Sequence, residues 1–140
     1  MTLRSILATL LLASALAACS SAQASELGAT CDQFSTTPAV QQSAEVAAGE
    51  DLTIVLCSNA STGYSWEDAV VGDPGVATVT SQTYAEPAQA SLPIVGRAGG
   101  EVVRLHAVAP GKTTVTLSYG QPWEGGAKGT WTYELTLTVT

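Results

Sequence analysis

Trp131-Thr132-Tyr133-Glu134-Leu135-Thr136-Leu137-Thr138-Val139 alternates a large apolar residue with a threonine or a glutamate at every step. Side chains on a strand point to opposite faces in turn. The spacing therefore places Trp131, Tyr133, Leu135, Leu137 and Val139 on one packed face and predicts a half-buried strand. Working upstream, Val115, Leu117 and Tyr119 repeat the pattern, after a turn at Ala109-Pro110-Gly111-Lys112. Before that turn, Val102, Leu105, Ala107 and Val108 mark another strand. Val76 to Tyr84, rich in Val and Thr, marks one more, behind the turn Gly72-Asp73-Pro74-Gly75. Tyr64, Trp66 and Ala69-Val70-Val71 form an earlier run, and Leu52, Ile54 and Leu56 share one face of a strand that follows Gly49-Glu50-Asp51. Ala85 to Pro93 carries two prolines among small residues and reads as loop. Residues 38–140 show no helical periodicity. Short strands separated by Gly/Pro turns indicate an all-β, immunoglobulin-like β-sandwich of about seven strands with Greek-key connections. The immunoglobulin signature of two core cysteines around a core tryptophan is absent.

The N-terminus is read separately. Arg4 precedes an apolar run from Ile6 to Ala18 that is too short to span a bilayer and has the layout of an export signal. It ends in Leu16-Ala17-Ala18-Cys19, which resembles the bacterial lipoprotein box and implies cleavage before an acylated Cys19. An ordinary signal cut near Ala22-Gln23-Ala24 is the rival. Residues 1–18 are thus expected to be a signal peptide, 19–37 a Ser/Thr/Ala-rich flexible tether, and 38–140 one domain. The expected location is the cell envelope, with the membrane as a partner only through a lipid on Cys19. With Cys19 set aside, Cys31 and Cys57 remain. In an exported chain they are expected to form a disulfide, contributing about 3–4 kcal/mol on the chain-entropy model. A free Cys57 is the alternative.

The chain has 5 Lys and Arg against 12 Asp and Glu, a formal net charge of -7. No basic patch is available for nucleic acid. His106 is the lone histidine and alternates away from Leu105 and Ala107, as a surface or structural residue would. Nothing pairs a nucleophile with a base. Glu67 and Asp68 are adjacent, so on a strand they point to opposite faces and cannot act as facing carboxylates. No metal-ligand cluster and no phosphate-cradling glycine loop is present. The expectation is a monomeric protein that is not an enzyme and needs no cofactor or metal.

Three segments between the strands are built from small, turn-forming or aromatic residues. They are Asn59-Ala60-Ser61-Thr62-Gly63-Tyr64-Ser65-Trp66, Gly96-Arg97-Ala98-Gly99-Gly100, and Gly120-Gln121-Pro122-Trp123-Glu124 following Tyr119. In this order the three segments resemble the signatures of the chagasin-like family of cysteine-peptidase inhibitors: Asn-Pro-Thr-Thr-Gly-Tyr/Phe with a nearby Trp, a Gly-x-x-Gly-Gly-like loop, and Arg-Pro-Trp-Glu after a strand ending in Tyr. The resemblance covers roughly residues 44–139. Ala60 stands in place of the family proline, Ser61 in place of threonine, and Gln121 in place of arginine.

The resemblance implies a reversible inhibitor of papain-like cysteine peptidases, with three loops at one end of the sandwich occluding the active-site cleft. It makes Asn59, Ala60, Ser61, Thr62, Gly63, Tyr64, Gly96, Arg97, Ala98, Gly99, Gly100, Gln121, Pro122 and Trp123 the expected contact residues. The residue types suit that role. Ser61, Thr62 and Gly63 are small and uncharged, Asn59 holds turns, and Gly99 and Gly100 permit close backbone approach. Pro122 fixes the backbone beside Trp123, a residue type enriched among binding hot spots. Taken on their own, Tyr64 and Trp66 read as core or core-edge residues rather than contacts, and Trp131 belongs to the packed face. A carbohydrate- or peptidoglycan-binding sandwich that stacks sugars on Trp123 is the alternative function.

Overall fold

A computed structural model describes residues 27–87 and 98–140. The signal peptide, Cys19 and most of the expected tether lie outside the described residues, as do residues 88–97. Among the described residues, nine strands form two sheets, with one α-helix: β1 (Leu27–Ala29), α1 (Cys31–Thr36), β2 (Ala39–Val46), β3 (Asp51–Ser58), β4 (Ser65–Trp66), β5 (Val70–Val71), β6 (Ala77–Ala85), β7 (Gly99–Ala107), β8 (Gly111–Gly120) and β9 (Trp131–Val139). A short 3-10 turn covers Ala60–Thr62. One sheet has the order β1-β3-β7-β6. The other has the order β2-β9-β8-β4, with β5 also paired to β8. The immunoglobulin-like sandwich is as expected, with β1, α1 and β2 added at its N-terminal side.

The packed face of β9 is the one its alternation dictates. Tyr133, Leu135, Leu137 and Val139 are buried, and so are Val115, Leu117 and Tyr119 on β8 and Ile54 and Leu56 on β3. These side chains share one core between the two sheets. Burial pushes the Tyr133 phenol up to about 12, because the charged phenolate would lose its water. On β7 the inward face is Val103, Leu105 and Ala107. Val102, one of the residues that marked this strand, lies across from Val55 on the other face, and Val108 is exposed beyond the strand end. The expected run from Tyr64 to Val71 is two short strands, both held by β8.

Residues 27–37 correct the expected tether. β1 pairs in parallel with β3, and β2 pairs in parallel with β9 along all eight of its residues. α1 is closed by a capping box: Thr30 Oγ1 accepts from the Gln33 backbone N–H, and Gln33 Oε1 accepts from that of Thr30. The helix buries Phe34 completely. The disulfide Cys31–Cys57 then bolts α1 to the end of β3, with the two Cα atoms 5.1 Å apart. A segment rich in Ser and Thr is ordered here because one phenylalanine and one cysteine tie it to the core.

Candidate functional site

The strand registers bring the three segments to one end. β3 leaves its sheet at Ser58, opposite Gly99 where β7 begins. β4 begins at Ser65, opposite Gly120 where β8 ends. The first loop, residues 59–64, therefore bridges the two sheets at the end where the second segment enters β7 and the third leaves β8. Gly96 and Arg97 lie outside the described residues.

Local hydrogen bonds shape the first loop. The Asn59 backbone carbonyl accepts from the Thr62 N–H at 3.2 Å and from Thr62 Oγ1 at 2.7 Å, and Asn59 Oδ1 accepts from Ser61 Oγ at 2.6 Å. Gly63 closes the turn with φ +77°, a left-handed conformation that glycine adopts without steric cost. Ala60, Ser61 and Thr62 are exposed at the tip.

The third loop is folded back on itself. The Ala127 carbonyl accepts from the Gln121 N–H at 2.7 Å, and Gln121 Oε1 accepts from the Ala127 N–H at 2.9 Å. Gln121, where the resemblance puts arginine, thus spends its side chain on its own loop. Within this loop Trp123 is 49% exposed. Its ring is not free-standing. The indole Cη2 lies 2.8 Å from where a Cβ on residue 63 would stand, and Nε1 lies 2.9 Å from where one on residue 126 would stand. The ring occupies space that Gly63 leaves empty, so the first and third loops meet.

The second segment differs from its expectation. Gly99 and Gly100 are ladder residues of β7, paired with Ser58 and Cys57 on one side and, for Gly100, with Ala85 on the other. A Cβ on residue 99 would stand 2.3 Å from the Ala85 carbonyl oxygen and 2.7 Å from the Tyr84 ring. The missing side chain at 99 makes room for the protein's own Tyr84. Ala98 is half-buried against the core.

Beneath the loops stands a row of aromatic rings that residue spacing alone did not bring together. Phe34 stacks on Trp131 with centroids 4.9 Å apart, and Trp131 on Tyr119 at 4.7 Å. Tyr119 also meets Trp66 at 5.0 Å and Tyr64 at 5.5 Å. Trp66 is buried and donates Nε1–H to the Cys57 carbonyl at 2.9 Å. Tyr64, an expected contact residue, is half-buried against this row. Phe34 is the member the sequence reading missed, and the Thr30–Gln33 capping pattern was the signal that could have placed it on a helix.

His106 lies on β7 beside the start of β3, far along the strands from the loops, with Nδ1 2.7 Å from Asp51 Oδ1. Among the described residues no group of three or more His, Cys, Asp or Glu is arranged to hold a metal ion.

Among solved structures the chain is similar to the cysteine protease inhibitor EhICP2 of Entamoeba histolytica. The TM-score is 0.60 and the identity 20%, over 73% of this chain and 94% of that one. It is also similar to PbICP-C, solved in complex with falcipain-2. There the TM-score is 0.54 and the identity 21%, over 73% of this chain and 88% of that one. At these identities the likeness is one of fold. No curated protein matches the chain. The family model described as Chagasin family peptidase inhibitor I42 matches residues 45–137, well over half of the chain. The protein therefore belongs to the chagasin family of peptidase inhibitors and is not an enzyme.

Proposed function

We propose that the protein reversibly inhibits papain-like cysteine peptidases by setting its loop end into the active-site cleft. Family membership supports inhibition, and PbICP-C, a protein of like fold, was solved with falcipain-2. The observation that carries the cleft-blocking reading is the packing of Trp123 on Gly63. It joins a tip of small uncharged residues, Ala60-Ser61-Thr62, to a half-exposed aromatic anchor in one wedge. Small uncharged groups enter a narrow slot with little desolvation cost, and a wedge ordered before binding loses less entropy on docking. Inhibition on this reading needs no covalent step. The anchor on Cys19, export to the envelope and a monomeric state belong to the same proposal.

The test is a titration of papain with the oxidised protein, following residual activity and then checking the inhibitor for cleavage. Loss of activity with intact inhibitor is expected. Full activity at large excess, for papain and for a cathepsin-like enzyme alike, would sink the proposal. Tryptophan fluorescence that then responds to peptidoglycan fragments would favour sugar stacking on Trp123 instead.

A further inference from the structure

Tyr119 is the penultimate residue of β8, and its position serves both meeting loops. Its side-chain oxygen accepts a hydrogen bond from the backbone N–H of Asn59 at 3.0 Å, at the root of the first loop. Its backbone carbonyl accepts from the Thr130 N–H at 2.9 Å, closing the base of the loop that carries Trp123. The side chain is only 3% exposed, and its ring is packed against Trp131, Trp66 and Tyr64. A ring held by three aromatic neighbours cannot swing, so its hydroxyl is a fixed point. The first loop begins on the β3 sheet, and this bond ties its first residue to the opposite sheet.

We infer that Tyr119 is a positioning residue, whose hydroxyl sets the first loop at the height and angle where its tip and Trp123 engage a peptidase together. The inference rests on the proposed function and deepens it. Tyr119 itself touches no partner, and its effect passes through Asn59.

Tyr119→Phe removes the hydroxyl and keeps the ring. Tyr133→Phe is the matched control. It removes a phenol hydroxyl from the adjacent strand, where Tyr133 Oη donates to Gln42 Oε1 at 2.6 Å, on a residue with no part in the loops. Inhibition constants for papain would be measured well below the melting temperature of both variants, together with amide hydrogen exchange at Asn59. The expected result for Tyr119→Phe is an inhibition constant raised about three- to tenfold, the size of one lost hydrogen bond, and faster exchange at Asn59. Tyr133→Phe should lower the melting temperature and leave both readings unchanged. An unchanged inhibition constant in Tyr119→Phe, with the wild type inhibiting, would overturn the positioning role, whatever happens to its melting temperature. Equal loss of inhibition in both variants would overturn it too, since that marks a general structural effect. A wild type that leaves papain active overturns the proposed function instead, and exchange at Asn59 still reads whether the hydroxyl holds the loop.

Discussion

The loop end is built in two ways. In the first and third loops, the space left by Gly63 is filled by a side chain from another loop, the Trp123 indole. In the second segment, the space left by Gly99 is filled from within its own sheet, by Tyr84 and the Ala85 carbonyl. Glycines that look alike in a motif therefore do different work. One shapes the proposed binding surface, and the other lets two strands of the scaffold close. Substitutions in the two regions should separate binding from stability.

Trp123→Ala should have the largest effect on binding. It should weaken papain inhibition by about 2 kcal/mol or more, roughly thirtyfold, with little change in melting temperature because the ring is half exposed. Inhibition within threefold of wild type would erase the distinction between the regions. Gly99→Ala should do the reverse. A Cβ there meets backbone, so strands must shift, at a cost of about 1–3 kcal/mol. Calorimetry should show a melting temperature lower by roughly 4–8 °C per kcal/mol. A stable Gly99→Ala protein that fails to inhibit would show that this segment serves the partner after all. The subtlest effect lies in a double-mutant cycle of Gly63→Ala with Trp123→Ala. The added methyl meets the indole as well as a strained φ. Its cost to inhibition should shrink once the ring is gone, with a coupling of about 0.5–1 kcal/mol. Strict additivity would mean that the two loops act separately.

The strands β7, β8 and β9 were legible because their inward positions are Val, Leu, Ala and Tyr at period two. β2 was not, and the reason is Gln42. It sits at a half-buried position of that strand, where Oε1 accepts from both the Gly28 N–H and the Tyr133 hydroxyl. A polar inward residue with its bonds satisfied breaks the hydrophobic period without breaking the strand. α1 escaped notice because six residues are too few for a helical repeat, although its capping box was present in the sequence. The candidate site was legible as three motifs and one half-exposed tryptophan. Which glycine is covered by another loop and which by its own sheet depends on Trp123 and Tyr84, each distant in sequence from the glycine it covers.

The bolt between Cys31 and Cys57 has a mechanical consequence. Tension applied ahead of Leu27 and at the C-terminus would first load β1, then reach Cys31. From there it crosses the sulfur–sulfur bond straight into the end of β3, beside the first loop. The chain between the two cysteines, with a sequence separation of 26, lies off the covalent path of the load while that bond holds. Pulled to full extension, the oxidised protein would come out shorter than the reduced one by about 90 Å, the reach of that many residues. β2 and most of β3 thus sit inside a covalent shunt, and a pull on the N-terminus is delivered to the root of the proposed binding wedge rather than dissipated by unzipping the strands behind it.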